Sequence, residues 1–427
     1  MESVFKELDQ NSKKEFWVKP SKKAEKDIEK NKVFSSPLRI PISANKFKKR
    51  EFILTSSTIY CMSSKGTVRK SSKVNWKVIE PFTETNGKEK RLGFRLYGNG
   101  VHEDFYTKDL SSLDKWIEAF SKICIFQDLD NDYEIIKEIG TGSTSQVYLA
   151  NDLENSQKVA IKKISKREHL TEYRRIVNLL DEIEILRKLT HPAVSKLHKV
   201  YEDEEFVSLV LDYVSEEDCF ERLDRLDKFS EKESARFIKN LLLTVKHIHS
   251  KGIAHRDIKP ENIMMSPQSN IDFKLIDFGY ACKDIKKNKA TQRCGSPGYM
   301  APEIFKGKPY GPEVDVFSIG ILLYTLLSGI APFWGEKSKE VLKKNLKCKI
   351  EYPADFWGNI SILAKDLVMQ MTAPDPEDRI TVKEALKHPW LQAISTSSFT
   401  SKKDRHGQGK IKPVKGKTTS FVASSTQ

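Results

Sequence analysis

His255-Arg256-Asp257-Ile258-Lys259-Pro260-Glu261-Asn262, followed fifteen residues after Asn262 by Asp277-Phe278-Gly279, decides how the rest of this 427-residue chain is read. Moving a phosphoryl group from ATP to a hydroxyl needs a carboxylate to accept and orient that hydroxyl, and oxygen ligands to hold magnesium against the triphosphate. Asp257 suits the first role, and Asn262 and Asp277 suit the second. Upstream, Ile139-Gly140-Thr141-Gly142-Ser143-Thr144-Ser145-Gln146-Val147 is a glycine-bearing turn between strand patterns, where backbone N–H groups can approach a phosphate without side-chain obstruction. Val159-Ala160-Ile161-Lys162 then ends an apolar alternating run in a lysine, which is costly to desolvate unless an anion awaits it. Each segment alone has a bland reading, a tight hairpin for the glycines and an exposed edge charge for the lysine. Their order along the chain argues for a nucleotide site.

Together these blocks resemble the eukaryotic protein kinases, and Lys259-Pro260-Glu261-Asn262 resembles their serine/threonine branch. The resemblance runs from Tyr133 to Leu391 and implies an α+β, bilobal catalytic domain. It implies that Asp257 positions the substrate hydroxyl, Lys259 neutralises the transferring phosphoryl group, and Asn262 with Asp277 holds Mg2+. Lys162, fixed by a helical glutamate, would orient the ATP phosphates. Ile139, Gly140, Gly142, Val147 and Ala160, with Leu211, Asp212 and Val214 at a hinge, would surround the nucleotide. The pattern departs from the family at its third glycine, which is Ser145 here. The glutamate is expected on an amphipathic helix over 176–189 that stops at His191-Pro192. Glu182 fits the family spacing; Glu184 is the fallback, otherwise a solvated helix-face charge.

Cys294-Gly295-Ser296-Pro297-Gly298-Tyr299-Met300-Ala301-Pro302-Glu303 resembles the substrate-docking loop of kinases, with Ser296 near the catalytic base. Asp315-Val316-Phe317-Ser318-Ile319-Gly320 resembles the start of the buried central helix of the large lobe, Arg379 the partner of Glu303, and His388-Pro389-Trp390-Leu391 the domain's end; these read as structural. By the same resemblance Glu261 and Asp218 attract basic residues near the target hydroxyl, and Tyr280 favours serine over threonine. Arg256 offers a partner to a phosphorylated activation segment, in which Thr291 is the best placed hydroxyl. The rival reading is a catalytically silent kinase-like adaptor that binds nucleotide and lipid or protein. It is disfavoured because Lys162, Asp257 and Asp277 are all kept.

Composition narrows the remaining choices. The longest apolar run, Ile319 to Ile330, is broken by Gly320, Ser328 and Gly329 and falls short of the ~18 residues of a membrane span. The absence of a leader pattern, Glu2, and six scattered cysteines with no C-x-x-C pair fit a reduced, cytoplasmic protein without lipid at its start. Residues 1–50 hold 14 Lys+Arg against 7 Asp+Glu, and residues 392–427 hold 7 against 1, so the net charge of +14 sits at the ends. The nearly neutral middle leaves no footprint for nucleic acid. Basic ends suit acidic membranes or acidic proteins, or are simply solvated tails.

Before Tyr133 lies a span of small-domain size. Strand patterns start at Phe47-Lys48-Lys49-Arg50-Glu51-Phe52-Ile53-Leu54 and Thr58-Ile59-Tyr60-Cys61-Met62 and recur at Leu92–Tyr97 and Asp104–Tyr106. Ser111-Ser112-Leu113-Asp114-Lys115-Trp116-Ile117 reads as a capped helix with Trp116 on its apolar face. Strands closed by one tryptophan-bearing helix resemble a pleckstrin-homology domain. That implies a β-barrel or sandwich with a C-terminal helix over 35–126, after a flexible basic segment 1–34 and before a linker 127–132. Lys46, Lys48 and Arg50, alternating on one strand, would clamp a phosphoinositide headgroup. The catalytic domain looks most like the calcium/calmodulin-dependent kinases. Gly407, Gly409, Pro413 and Gly416 nevertheless argue against a calmodulin-binding helix in the Ser/Thr-rich tail 392–427, which reads as disordered, and no calcium loop occurs.

Overall fold

The structure is a computed structural model describing residues 3–5, 15–43, 46–86, 89–98, 100–142, 145–285, 289–396 and 421–422. The chain divides into two compact units, Met1–Ile176 with Leu197–Tyr213 and Val177–Lys196 with Val214–Gln427.

The first unit opens with helix α1 (Ala24–Asn31) and seven antiparallel strands, β1 (Lys32–Ser43), β2 (Lys46–Thr55), β3 (Thr58–Met62), β4 (Val68–Lys73), β5 (Val78–Asn86), β6 (Glu89–Gly98) and β7 (Val101–Tyr106), capped by helix α2 (Leu110–Ser121). The strand order is β4-β3-β2-β1-β7-β6-β5. Alternation directs Phe52, Leu54, Ile59, Cys61, Phe94, Leu96 and Phe105 into one core. Gly93 is required there, because a Cβ would stand 2.3 Å from the Phe105 carbonyl oxygen. The carboxylate of Asp109, one turn before Ser112, accepts the Ser112 N–H at 2.9 Å and starts α2, whose Leu113, Trp116 and Phe120 close the core.

A second sheet follows, β8 (Tyr133–Thr141), β9 (Gln146–Asp152), β10 (Lys158–Ser165), β11 (Leu197–Glu202) and β12 (Phe206–Asp212), in the order β11-β12-β10-β9-β8, with the short α3 (Lys166–His169) after β10. The two sheets are joined by main chain. Ile125 accepts from Ile79 and donates to Lys77, while Phe126 donates to Val200 and accepts from Glu202, all at 2.8–2.9 Å. Ala150, Val159, Ile161, Tyr201 and Val210 of the second sheet belong to the same core cluster as the first.

The structure therefore differs from two boundary expectations. In the segment 127–132, expected to be a linker, Leu129 is buried in that shared core. Of the segment expected to be flexible, α1, Phe16 and residues 3–5 are packed. Phe5 stacks on Trp76 at 5.4 Å, and the Glu202 carboxylate accepts from Ser3 and Val4 at 2.6 Å each. Apolar residues spaced among lysines hide such anchoring from composition.

Helix α4 (Tyr173–Lys188) crosses the unit boundary. The second unit continues with α5 (Cys219–Leu226), α6 (Glu231–Ser250), the hairpin β13 (Ile263–Met265) and β14 (Phe273–Leu275), and the two-residue β15 (Cys294–Gly295). Helices α7 (Pro302–Phe305), α8 (Glu313–Ser328), α9 (Ser338–Lys347), α10 (Ala354–Trp357), α11 (Ile362–Met371), α12 (Val382–Ala385) and α13 (Pro389–Thr396) come next, and strand β16 (Phe421–Val422) pairs with β15. The apolar run as far as Ser328 lies in α8, which is buried on every side. The Ser318, Thr325 and Ser328 hydroxyls of α8 donate to carbonyls four residues back, which satisfies them inside the core. Among the described residues no helix is long and apolar enough to cross a membrane.

Candidate active site

In the first unit, pairing brings the expected nucleotide residues to one face of the second sheet. Lys162 pairs with Val147 and Leu209, and Ala160 with Leu149 and Leu211. Directly paired residues share a face, so Val147, Ala160, Lys162 and Leu211 line up, each half-buried, opposite the face that joins the core. Gly140 pairs with Val147, and the Gly142 N–H donates to the Ser145 carbonyl at 2.8 Å, closing the turn. Ser145 is absent from the left-handed residues, so the missing third glycine is not needed for backbone freedom. Ser143 and Thr144 lie outside the described residues. Ile139 is half-buried just before the turn. The Asp212 carboxylate meets the His198 ring at 2.7 Å.

The second unit holds the other half of the predicted residues. Val214 opens its longer segment, and Glu182 sits on α4 at 4% exposure. Asp257, Lys259, Asn262 and Ser296 are all buried around one point. The Asn262 amide nitrogen donates to the Asp257 carbonyl at 2.8 Å and its carboxylate at 3.1 Å. The Lys259 ammonium lies 3.6 Å from the same carboxylate and donates to the Ser296 hydroxyl at 2.8 Å. This fixes the Asp257 carboxylate between a cation and an amide, and it turns the Asn262 carbonyl oxygen away from Asp257. Asp277, half-buried, accepts the Gly279 N–H through one oxygen at 3.2 Å. An amide oxygen and a carboxylate are hard oxygen donors, which fit Mg2+.

Two residues beside this cluster are among those in the unit that hold left-handed backbone. Arg256 has φ +68° and Asp277 φ +57°, a region that costs L-residues energy unless the surroundings enforce it. Asp315, at the start of α8, enforces the first: its oxygens accept the His255 and Arg256 N–H groups at 2.9 and 2.8 Å and the His249 ring at 2.7 Å. Burial alone would raise the Asp315 carboxyl, but the hydrogen bonds and charge of its partners hold it below the ordinary value. His255 stacks edge-on against Phe278 at 4.7 Å and reaches the Ile276 carbonyl at 3.1 Å, linking the Asp257 loop to the Asp277 turn. This anchoring was invisible to motif reading, which treated Asp315 as the beginning of a structural helix.

The Arg256 guanidinium donates to the Tyr280 carbonyl at 2.5 Å, the Tyr310 hydroxyl at 3.0 Å and the Gln292 side chain at 3.3 Å, beside the exposed Thr291. Arg379 meets Glu303 through two bonds of 2.7 and 3.0 Å, as the sequence predicts. Asp218 is buried as the N-cap of α5, one of its oxygens accepting the Glu221 N–H at 2.8 Å; Glu261 is half-buried. Lys46, Lys48 and Arg50 lie at the open end of β2 on the face that farther along carries Phe52. The nearby cavity of about 550 Å³ is lined instead by Phe47, Tyr106, Arg91, Glu84 and Asp104 among others.

Within their own units, the half-buried lysine on the sheet and the buried Asp257 cluster are the kinds of groups that phosphoryl transfer uses. The protein kinase domain family matches residues 133–391, and the chain belongs to the protein kinase family. Within it the relatives are serine/threonine kinases. Probable serine/threonine-protein kinase 2 of Plasmodium falciparum is 38% identical over 262 residues, covering 61% of this chain and 50% of that protein. Calcium/calmodulin-dependent protein kinase type 1 of Macrobrachium nipponense is 38% identical over 270 residues, 62% of this chain and 77% of its own. Calcium/calmodulin-dependent protein kinase type IV of Homo sapiens is 34% identical over 319 residues, 73% of this chain and 65% of its own. The chain thus spans half the length of the first of these relatives.

Proposed function

We propose that this chain transfers the γ-phosphoryl group of ATP to serine or threonine hydroxyls of proteins. The observation that carries the reading is the buried Asp257, held by Lys259 and Asn262 beside the Ser296 loop. In this mechanism Asp257 accepts the hydroxyl proton and aims the oxygen, and Lys259 offsets charge on the transferring group. Asn262 and Asp277 hold Mg2+, which when bound neutralises the phosphate oxygens. Lys162 and Glu182 serve phosphate orientation, and Val147, Ala160, Leu211, Asp212 and Val214 serve nucleotide binding with the loop at Ile139, Gly140 and Gly142. Tyr280 favours serine acceptors, and Glu261 basic substrates. Six free cysteines, four of them buried, suit a reducing, cytoplasmic setting.

The decisive measurement is magnesium-dependent transfer of labelled γ-phosphate to a basic serine peptide by the intact chain and by Asp257→Ala. The variant should keep ATP binding and lose about 10²- to 10⁴-fold in turnover. Equal rates for the two would sink the catalytic reading and favour the silent adaptor. For the seven-stranded region, which we read as pleckstrin-homology-like, the alternating Lys46, Lys48 and Arg50 support contact with a phosphoinositide surface.

A further inference from the structure

Helix α4 carries the carboxylates Asp181, Glu182 and Glu184 within a single turn. Asp181 and Glu184, three residues apart, share one face, whereas Glu182 lies on another, buried with Ile183, Ile185 and Leu186. Like charges so placed repel, and the pair is unfavourable on a helix unless a cation answers it. That cation is Lys283, in the segment after the Asp277 turn. Its ammonium lies 2.8 Å from the Asp181 carboxylate and also meets Glu184, the fallback glutamate of the sequence reading; all three side chains are half-buried. Burial draws the Lys283 ammonium down, but the two carboxylates outweigh it and hold the group above its ordinary value, so it stays charged at neutral pH. Lys188 approaches Glu184 only to 4.0 Å and belongs to α4 itself, so it ties the helix to nothing else. Lys283 has a fixed point behind it. Cys282, the preceding residue, exchanges main-chain hydrogen bonds of 3.0 Å with Ala254 in both directions, and Ala254 directly precedes His255 of the Asp257 loop. One cation held by two carboxylates a turn apart resists rotation of a helix about its axis, which a single contact would allow.

We propose that Lys283 is a positioning residue: by gripping Asp181 and Glu184 it sets the rotation of α4, and with it the direction of Glu182, relative to the loop that carries Asp257. The inference rests on the kinase reading above, in which Glu182 serves phosphate orientation. Its action is indirect, through α4. Without the grip the helix samples settings in which Glu182 is misdirected, and nucleotide affinity falls by the fraction of molecules that remain in the competent setting.

The test measures three quantities on the full chain: the dissociation constant for ATP with magnesium, transfer to a basic serine peptide, and Tm. Lys283→Ala should raise the dissociation constant by roughly threefold to tenfold, the shift that two partly exposed ion pairs can supply, while Tm changes little. Lys283→Arg should restore most of the affinity. Asp181→Asn/Glu184→Gln should weaken ATP binding to the same extent as Lys283→Ala, and combining all three substitutions should weaken it no further, because each removes the same interaction. Unchanged ATP affinity in Lys283→Ala, or losses that simply add, overturn the grip and leave the kinase reading standing. So does faster peptide transfer by Lys283→Ala, which would make the contact a restraint. A loss of affinity that Lys283→Arg fails to restore and that tracks a falling Tm marks a folding defect and overturns positioning as well. An unsubstituted chain that neither binds ATP nor phosphorylates the peptide overturns the kinase reading and this inference with it.

Discussion

At the scale of single residues, the grouping of Asp257, Lys259 and Asn262 was legible because these residues sit in one continuous string. Asp257, Lys259 and Asn262 lie within six positions, and their contacts follow from the loop they share. Asp315 was not legible in the same way, since its partners stand some sixty residues upstream and only folding brings them together. Its physical role yields a prediction with a definite sign. The folded-state value of Asp315 is depressed below 3.8, so the carboxylate contributes stability that is present above 3.8 and is lost as pH falls through the lower folded value. Asp315→Asn removes the charged acceptor of two backbone N–H groups and should cost about 1.5–3 kcal/mol or more at neutral pH. Denaturant midpoints followed from neutral pH to below 3.8 should show the gap between wild type and variant narrowing only at the acid end. A gap that stays constant throughout would mean the carboxylate's charge contributes nothing there.

At the scale of elements, period decided what could be read. The alternation through Phe52 and Leu54 predicted β2, and the run from Ile319 predicted a buried helix rather than a membrane span, because a 3.6-residue helix buried all round is apolar all round. β15 and β16, two residues each, have no period at all and exist only through each other. The cap of α2 is Asp109, two residues before Ser111, and its carboxylate accepts the Ser112 N–H. Strand period also governs the lipid reading of β2. Lys46, Lys48 and Arg50 alternate to one face, whereas Phe47 turns to the other, packing on Tyr106 at 4.8 Å under the Arg91 guanidinium. Lys48→Ala/Arg50→Ala should therefore reduce sedimentation with phosphoinositide vesicles severalfold while leaving Tm nearly unchanged, since exposed charges add little stability. Equal sedimentation by the double variant would remove the clamp.

At the scale of the whole molecule, the boundary between the seven-stranded region and the catalytic domain was the least legible feature. Asp128, Asp130, Asn131 and Asp132 make 127–132 look like a tether, yet Leu129 within it is buried, and Ile125 and Phe126 bond to strands on both sides. Linker composition reports on solvated side chains, whereas the main-chain bonds that join two sheets leave no compositional trace. The consequence concerns regulation. A detachable inhibitory domain predicts a faster enzyme when it is removed, but here removal would uncover Val159, Ile161 and Val210, which share its core. Uncovering aliphatic side chains costs about 1.5–3 kcal/mol each, so a chain starting at Asn131 should lose on the order of 5 kcal/mol, a large share of the ~5–15 kcal/mol that holds a domain folded. Thermal unfolding and peptide phosphorylation measured on the same preparation separate the alternatives. We expect a Tm lowered by roughly 10–20 °C or an aggregating product, with no gain in turnover. A truncated chain that melts with the intact protein and turns over faster would show that the shared core contributes little and that the seven-stranded region acts as an inhibitor of the kinase.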